Sequence, residues 1–277
     1  MPILFPCKLE PNTRGVYNYL VTFAASRQEE VTLLYTYDDY YLRRVFGTSK
    51  IKKYAWNKML VYAREHEKQV PNHVILKLRS GYLDDQVKYN LQKDAFSILA
   101  VGPEKFQELI KPASDLVYKG LKKNNYQILC LPDPDIKYAV PKNILVIGSS
   151  LTHAETEEQQ QILSLGIQKE ANIHYLDGQI DGEQWSYESK PLTSTQMLFE
   201  KTFPHEAYEQ VLDQYIKDKK IDFIAVCQKG IDAFTDWINR KADKNIKMPV
   251  LFLKFDQKQK AKSRFDSILS RLPKTKA

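Results

Sequence analysis

Short apolar runs and helix-spaced apolar stripes alternate along this chain, and the same order occurs twice. An apolar run near the N-terminus is followed by a helical stripe at Val16, Leu20 and Phe23, and then by a second apolar run. After Pro141 the order restarts. Apolar residues spaced three and four apart mark the buried face of a helix, whereas short apolar runs mark buried strands. The predicted strands are 3–7, 31–35, 74–78, 96–101 and 128–131 in the first half, and 143–148, 172–176, 221–227 and 248–253 in the second.

The predicted helices lie between these strands. Asn12 or Thr13 is placed to cap the first helix, because either side chain can accept a hydrogen bond from a backbone amide of the first turn. In the second half the polar stretch 178–195, which contains Pro191, predicts a loop with no counterpart of the second helix. The apolar stripes predict helices near 16–24, 50–68, 83–91, 106–117, 211–216 and 231–238, the fourth of them kinked at Pro112.

A unit that occurs twice predicts two domains joined by a short linker. The prolines between residues 132 and 141 cannot continue a helix or a central strand, so the boundary falls there. We expect a first repeat at 1–135, a second repeat at 142–254 and a basic C-terminal helix or tail at 255–277. Strands alternating with helices imply right-handed crossovers and parallel pairing. The predicted fold class is therefore α/β, with two tandem, open, mainly parallel five-stranded sheets flanked by helices.

Charge is distributed unevenly over the 277 residues, whose net charge is +7. Residues 1–141 carry 21 Lys and Arg against 15 Asp and Glu, a balance of +6. Residues 142–253 carry 12 against 17, a balance of −5, and residues 254–277 carry 8 against 2. A basic half joined to an acidic half indicates complementary faces, either between repeats or between subunits. The alternative explanation is that the surface charge of the two halves differs without any functional reason.

Three cysteines, Cys7, Cys130 and Cys227, fall in or at the end of predicted strands. An odd and scattered set provides neither a disulfide framework nor paired metal ligands, so we expect buried free thiols in a reducing compartment. No apolar run approaches the roughly 20 residues that cross a bilayer. The N-terminus also lacks the basic-then-apolar pattern of a signal peptide. We therefore expect a cytoplasmic protein that does not enter a membrane.

The order of the elements resembles the universal stress protein family in its tandem two-domain form. The segment Leu33–Asp38 is similar to that family's second strand, and the opening run is similar to its first. The run Phe96–Gly102, a helical stripe and the run Ile128–Pro132 resemble the family's closing strand-helix-strand unit. The resemblance implies a fold like that of the adenine nucleotide alpha hydrolases. It also implies that repeats or subunits pair through their fifth strands, which are Ile128–Leu131 and Val250–Leu253 here.

Members of this family that bind ATP carry the motif G-2x-G-9x-G-[S/T] after the fourth strand. Glycines allow backbone amides at a helix N-terminus to approach phosphates closely. The first repeat keeps Gly102 but has Lys105 at the second glycine, and Ala113-Ser114 takes the last two positions when one gap is allowed. The second repeat has Cys227 first and keeps Gly230, but has no glycine-serine pair. Because both repeats depart from the motif, the resemblance implies that ATP is not bound in the usual family manner.

Open α/β sheets bind ligands in the crevice beyond the carboxyl ends of their strands. The aspartate that ends the family's first strand is replaced by Lys8 in one repeat and by Ser149 in the other. The serines after Gly148 could hold an anion, or could simply cap the next helix. No cofactor is predicted, and ATP or AMP in a divergent pocket of one repeat is the alternative. The candidate binding residues are Cys7, Lys8, Thr36, Tyr37, Gly102, Lys105, Ala113 and Ser114 in the first repeat, and Gly148, Ser149, Ser150, Cys227 and Gly230 in the second.

No catalytic constellation stands out, so we predict no enzymatic activity, no catalytic residue and no bound metal. The five histidines have no partner cysteine or histidine at metal-ligand spacing, and the sequence has no nucleophile elbow or phosphate loop. The segment 37–64 interleaves aromatic residues with Arg43, Arg44 and several lysines, a combination that binds nucleic acids or acidic partners. We favour a simpler interpretation, in which the aromatic residues of an amphipathic helix pack on the sheet while its cations stay solvated.

These features predict a universal-stress-protein-like regulatory or scaffolding protein that acts in the stress response. Its expected partners are another protein or a second copy of itself, in addition to the pseudo-dimer formed by its own repeats. Nucleic acid is not an expected partner. Adenine-nucleotide binding in a divergent pocket is the first alternative function. Binding of a nucleic acid or an acidic partner through the segment 37–64 is the second.

Overall fold

A computed structural model describes most of the first half of the chain and parts of the second. The described residues are 2–37, 47–64, 71–93, 96–104, 106, 126–136, 141–148, 171–176, 188–193, 196–201, 208–227, 230–240 and 246–253. The predicted helix beyond Phe106 and the predicted tail at 255–277 lie outside these residues.

The described part of the chain contains eleven strands and five α-helices. The strands are β1 (Ile3–Pro6), β2 (Val31–Tyr37), β3 (Val74–Ser80), β4 (Ile98–Val101), β5 (Gln127–Cys130), β6 (Asn143–Ile147), β7 (Asn172–Leu176), β8 (Glu188–Thr193), β9 (Gln196–Lys201), β10 (Phe223–Val226) and β11 (Val250–Phe252). The helices are α1 (Arg14–Arg27), α2 (Thr48–Arg64), α3 (Leu83–Lys93), α4 (Tyr208–Asp218) and α5 (Ile231–Arg240). Each of these helices was predicted, with ends that differ from the prediction by a few residues.

All of these strands belong to one continuous sheet, in the order β3-β2-β1-β4-β5-β11-β10-β6-β7-β9-β8. Neighbouring strands run parallel except at two places, the β5–β11 pair and the β8–β9 pair. The predicted α/β class with a mainly parallel sheet flanked by helices is confirmed. The prediction of two sheets is modified, because the first five strands and the last six hydrogen-bond into a single sheet.

The β5–β11 pair joins the two halves of the sheet. The strands run antiparallel, and Leu129 on β5 lies opposite Leu251 on β11. Both leucines are fully buried. The predicted pairing of the two fifth strands is therefore confirmed, and it occurs within one chain. Because each strand satisfies the backbone groups of the other, neither half ends in an exposed edge at this position.

The polar stretch 178–195 is not entirely a loop, so this part of the prediction was wrong. Residues Glu188–Thr193 form β8, which pairs antiparallel with β9, and β9 in turn pairs parallel with β7. Pro191 argued against a strand because proline removes a ladder donor. In the described part of the sheet β8 is an edge strand, where a missing donor on the outer side costs no hydrogen bond.

Apolar side chains of the sheet alternate between two buried clusters on its opposite faces. On one face α1 and α2 pack through residues such as Leu20, Phe23 and Met59. On the other face α4 and α5 pack through residues such as Phe234 and Trp237. Each cluster contains strand residues from both halves of the chain. The two halves therefore share their hydrophobic cores.

Two local predictions in the first half need correction. Thr13 precedes α1, but its side chain makes no capping hydrogen bond to the first turn and instead donates to the carbonyl oxygen of Glu10 at 2.7 Å. On α2, the expected burial of aromatic residues holds for Tyr62, which is 6% exposed, but fails for Tyr54, which is 73% exposed. The helix turns Tyr54 away because its other side carries the apolar stripe that meets the sheet.

We predict that the substitution Leu129→Ala lowers the free energy of unfolding by about 2–5 kcal/mol, because it opens a cavity between the halves. Urea denaturation followed by tryptophan fluorescence and circular dichroism measures the change. The control is Ile75→Ala on β3, where the side chain is 44% exposed and the expected loss is about 1 kcal/mol or less. Equal losses for the two variants would contradict a tightly packed junction.

Candidate functional site

A cavity of about 360 Å³ lies at the carboxyl ends of β1 and β4. These two strands are neighbours in the sheet, but the chain leaves β1 for β2 on one side and reaches β4 only later on the other side. Such a change of direction leaves a crevice between the connections, where open α/β sheets bind ligands. The described lining residues are Phe5, Pro6, Lys8, Asn12, Thr13, Tyr82, Leu83, Asp84, Val87, Leu99, Ala100, Val101, Gly102, Pro103 and Glu104.

The walls of the cavity are mostly apolar, whereas its rim is ionic. Lys8 Nζ lies 3.0 Å from Glu104 Oε2 in an ion pair whose two side chains are each about 60% exposed. An exposed pair of this kind adds little to stability. It does, however, neutralise the described cation nearest to the cavity. Asp84 adds a further carboxylate from the first turn of α3.

Gly102 begins the turn that follows β4, since its carbonyl oxygen accepts a hydrogen bond from the amide of Phe106 at 3.0 Å. A methyl group at this glycine would have as its nearest neighbour Val16 Cγ2, at 3.9 Å. That is an ordinary van der Waals distance. Packing of the described residues therefore does not require a glycine here.

The residues predicted at this crevice are only partly brought together. Lys8 and Gly102 line the cavity. Thr36 and Tyr37 end β2 and are not among the described lining residues. The carbonyl oxygen of Tyr37 instead accepts a hydrogen bond from the amide of Gly81 at 3.1 Å, beside β3. Lys105, Ala113 and Ser114 lie outside the described residues.

Cys7 lies beside the cavity, but its thiol is buried in a hydrogen-bonded cluster under the loop after β1. Its Sγ is 3.3 Å from Thr13 Oγ1 and accepts from the amide of Leu9 at 3.2 Å. Thr13 Oγ1 is also 2.8 Å from the hydroxyl of Tyr62 on α2. Because Thr13 already donates its proton to Glu10, the Tyr62 hydroxyl is the donor in this contact.

This cluster holds the loop but does not activate the thiol. Burial raises the pKa of Cys7, so the thiol stays protonated and is a poor nucleophile. Burial likewise raises the pKa of Tyr62. The guanidinium of Arg14 donates to the carbonyl oxygen of Tyr62 and lies 4.2 Å from the centre of the Tyr62 ring. The loop that carries Lys8 and Asn12 into the cavity wall is thereby fixed to α2.

The wall contributed by α3 was not predicted from the sequence. Tyr82, Leu83, Asp84 and Val87 come from the connection between β3 and β4. The sequence signal at this wall is the Asp84-Asp85 pair, which marks the first turn of α3 but not the crevice that the helix faces. Among the described residues, no group of three or more His, Cys, Asp and Glu is arranged to hold a metal ion. The three cysteines are buried free thiols, as predicted.

No protein-family model matches the sequence, and no curated protein sequence matches it either. Among solved structures, a universal stress protein from Archaeoglobus fulgidus DSM 4304 matches with a TM-score of 0.55 and 12% identity, over 93% of this chain and 97% of that one. The chain has the universal stress protein fold. A functionally unknown protein from Pseudomonas aeruginosa PAO1 matches over 98% of this chain and 97% of its own, with 11% identity and a TM-score of 0.49.

In the second half of this universal stress protein fold, the corresponding crevice lies between β6 and β10, and backbone fills part of it. Cys227 follows β10, and its amide donates to the carbonyl oxygen of Ile147 at 2.8 Å. A methyl group at Gly230 would overlap that same carbonyl group and Gly148 Cα. Gly148 itself has a φ of +85°, a conformation that glycine adopts without strain. Ser149 and Ser150 lie outside the described residues.

Another feature of the second half is a buried polar pair between β7 and α4. His174 Nδ1 lies 2.8 Å from the hydroxyl of Tyr215, and the two rings meet edge to face. Burial, together with the positive charge of Lys219, lowers the pKa of His174 to about 4. The imidazole is therefore neutral at pH 7.

None of the described helices combines the length and apolar character needed to span a bilayer.

We predict that Gly230→Ala destabilises the protein by about 2 kcal/mol or more, because a side chain there displaces the backbone of β6. Gly102→Ala is expected to change stability by less than about 1 kcal/mol, because the new methyl group meets only an ordinary contact. Chemical denaturation of both variants measures the difference. A comparable loss at Gly102 would show that this glycine is also held by packing.

We also predict that the protein becomes less stable as the pH falls, because His174 takes up a proton less readily in the folded protein than in the unfolded chain. The folded pKa of about 4 lies below the ordinary value of 6.5. Between these values the unfolded chain takes up the proton first, so stability decreases as the pH falls from about 6.5 to about 4. The full difference corresponds to about 3 kcal/mol. His174→Asn keeps a partner for the Tyr215 hydroxyl but cannot titrate in this range. Urea denaturation at several pH values should therefore give a shallower pH dependence for the variant, and parallel curves would contradict the assignment.

Proposed function

We propose that this chain is a universal-stress-protein-like regulatory or scaffolding protein of the stress response. In this proposal its two halves are tandem repeats that form an internal pseudo-dimer. The protein works in the cytoplasm, without catalysis of its own, through contacts with another protein or a second copy of itself. It does not bind ATP in the manner that the family motif implies. The fold of the chain and the chemistry of its two crevices support this proposal.

The observation that carries the proposal is the charge at the rim of the first crevice. A bound triphosphate needs exposed amides and cations close to its oxygens. Here Glu104 stands two residues after Gly102, and its carboxylate holds the ammonium group of Lys8 at 3.0 Å. Asp84 adds a second carboxylate to the lining. A triphosphate entering beside these groups would meet electrostatic repulsion and would have to break the ion pair.

The second crevice supports the same proposal through its lack of space and its already hydrogen-bonded amides. The start of α5 lies so close to β6 that Gly230 has no room for a side chain. The amides of Cys227 and Gly230 are already engaged, with the carbonyl oxygens of Ile147 and Cys227 respectively. Amides that satisfy neighbouring carbonyl groups are not available to cradle a phosphate.

A second candidate function rests on the cavity of the first half. A volume of about 360 Å³ falls within the range of small-molecule sites. Its mostly apolar walls suit a nucleoside or another uncharged ring system better than a triphosphate. Adenine-nucleotide binding in a divergent pocket therefore remains the alternative function, with the base inside the cavity and the phosphates outside it.

Calorimetric titration separates these two functions. We expect ATP, ADP and AMP to bind more weakly than a Kd of about 1 mM, because the rim of the first crevice is acidic and the second crevice is narrowed by backbone. Adenosine serves as the comparator without phosphate. Native mass spectrometry of freshly purified protein provides an independent test, and we expect no co-purified nucleotide.

The variant Glu104→Gln is the matched probe for the electrostatic argument. It removes the rim carboxylate and its ion pair with Lys8 while keeping the size of the side chain. If repulsion excludes phosphate, the variant should bind ATP more tightly relative to adenosine than the parent protein does. Micromolar affinity of the parent protein for an adenine nucleotide would overturn the proposal and establish the alternative.

A further inference from the structure

The outward side of α2 combines cations with exposed apolar side chains. We call the α2 outer face the set Lys50, Lys53, Tyr54, Asn57, Val61 and Arg64, all of which are exposed. Along its centre, residues 50, 54, 57, 61 and 64 are spaced alternately four and three apart. This is the spacing of a seam along which one helix packs lengthwise on another.

The apolar centre of this face is strongly exposed. Tyr54 is 73% exposed, and Val61, seven residues later and on the same side of the helix, is 71% exposed. Asn57 lies between them. Lone exposed apolar residues are common on proteins. Tyr54 and Val61 differ in that they lie along one helical seam, where a single partner helix can cover both.

The helix that carries this face is fixed from below. Its opposite side is buried through Ile51, Ala55, Met59 and Tyr62. Tyr62 is also hydrogen-bonded to Thr13 and stacked by Arg14 on α1. The α2 outer face is therefore a rigid surface, and a partner would bind it without first ordering the helix.

Charge defines what kind of partner fits. The residues of α2 include five cations, Lys50, Lys52, Lys53, Lys58 and Arg64, and no carboxylate. All five cations are exposed. On the α2 outer face, Lys50 and Arg64 stand at the two ends of the seam, and Lys53 flanks it. A complementary surface carries carboxylates around an apolar centre.

We propose that the α2 outer face docks an acidic amphipathic helix of a partner protein. Leucine-like side chains of that helix cover Tyr54 and Val61, and its carboxylates meet the lysines and Arg64. Nucleic acid fits less well, because base stacking uses aromatic rings in series and this face presents only one. Trp56 is 39% exposed, but it stands two residues from Tyr54 and so points to another side of the helix.

This inference deepens the proposed scaffolding function by naming the class of partner. The two can fail separately, since nucleotide binding is decided at the crevices and helix docking at α2. The probe is a fluorescein-labelled peptide of about three heptads, with Leu at positions a and d and Glu at positions e and g. Fluorescence anisotropy measures its binding to the full chain. The control is a scrambled peptide of the same composition, which has the same net charge but does not align its leucines along one side of a helix.

We expect the heptad peptide to bind about tenfold more tightly than the scrambled one, because only the former can cover the apolar centre. The double variant Tyr54→Ser with Val61→Ser should lose about tenfold in affinity for the heptad peptide. The double variant Lys50→Gln with Lys53→Gln should weaken binding and flatten its dependence on salt. A matched control on α3, Lys88→Gln with Tyr89→Ser, removes an exposed cation and an exposed aromatic residue elsewhere and should leave affinity unchanged.

Three results would overturn the inference. Equal affinity for the scrambled peptide would reduce the surface to nonspecific charge. Tighter binding of an oligouridine RNA, lost in Lys50→Gln with Lys53→Gln, would assign the face to nucleic acid. Analytical ultracentrifugation of the chain alone provides the third result. A dimer that dissociates in Tyr54→Ser with Val61→Ser would assign the face to a second copy of the chain.

Discussion

The antiparallel pairing of β5 with β11 is the constraint on which the rest of the structure depends. Without it, each half would end in a strand whose backbone donors and acceptors face solvent, which is a template for aggregation. The pairing also fuses the cores. One buried cluster contains Leu129 and Leu131 together with Leu251 and Leu253, and the other contains Cys130 together with Val250 and Phe252. Since these side chains lie in shared clusters, the stability of one half cannot be separated from that of the other.

The same pairing determines where the two crevices lie. Every described strand of the first half runs parallel to β5, and every described strand of the second half except β8 runs parallel to β11. Because β5 and β11 run in opposite directions, the carboxyl ends of the two sets of strands lie at opposite edges of the sheet. The crevices therefore point away from each other and are built independently. One keeps a cavity with an ionic rim, whereas the other is narrowed by the close approach of Gly230 to Ile147.

Apolar runs were sufficient to predict the central strands, because a buried strand between two helical layers is apolar on both sides. The pairing of β5 with β11 was implied only by the resemblance to the universal stress protein family. The apolar runs did not predict β8, which lies in a polar stretch that contains Pro191. Polar residues with a proline are typical both of a turn and of an edge strand, so the sequence pattern does not distinguish the two. For the candidate site, the strand ends identified Lys8 and Gly102 but not the wall from α3. The spacing of apolar residues shows which side of a helix is buried. It does not show which end of the helix lines a crevice, because that depends on how the connection between β3 and β4 crosses the sheet. The same limit explains Tyr54, whose aromatic character suggested burial although its position on α2 faces outward.

The two retained glycines show why a motif must be interpreted together with its packing. Gly230 is required by the carbonyl group of Ile147, so its presence says nothing about a ligand. Gly102 has room for a side chain and is therefore not explained by the described packing. A residue that packing does not require, beside a cavity, is the better guide to a former or present ligand. The first crevice, rather than the second, is thus the better candidate for a small-molecule site. The α2 outer face, which we propose for a protein partner, lies on a different element from the two glycines.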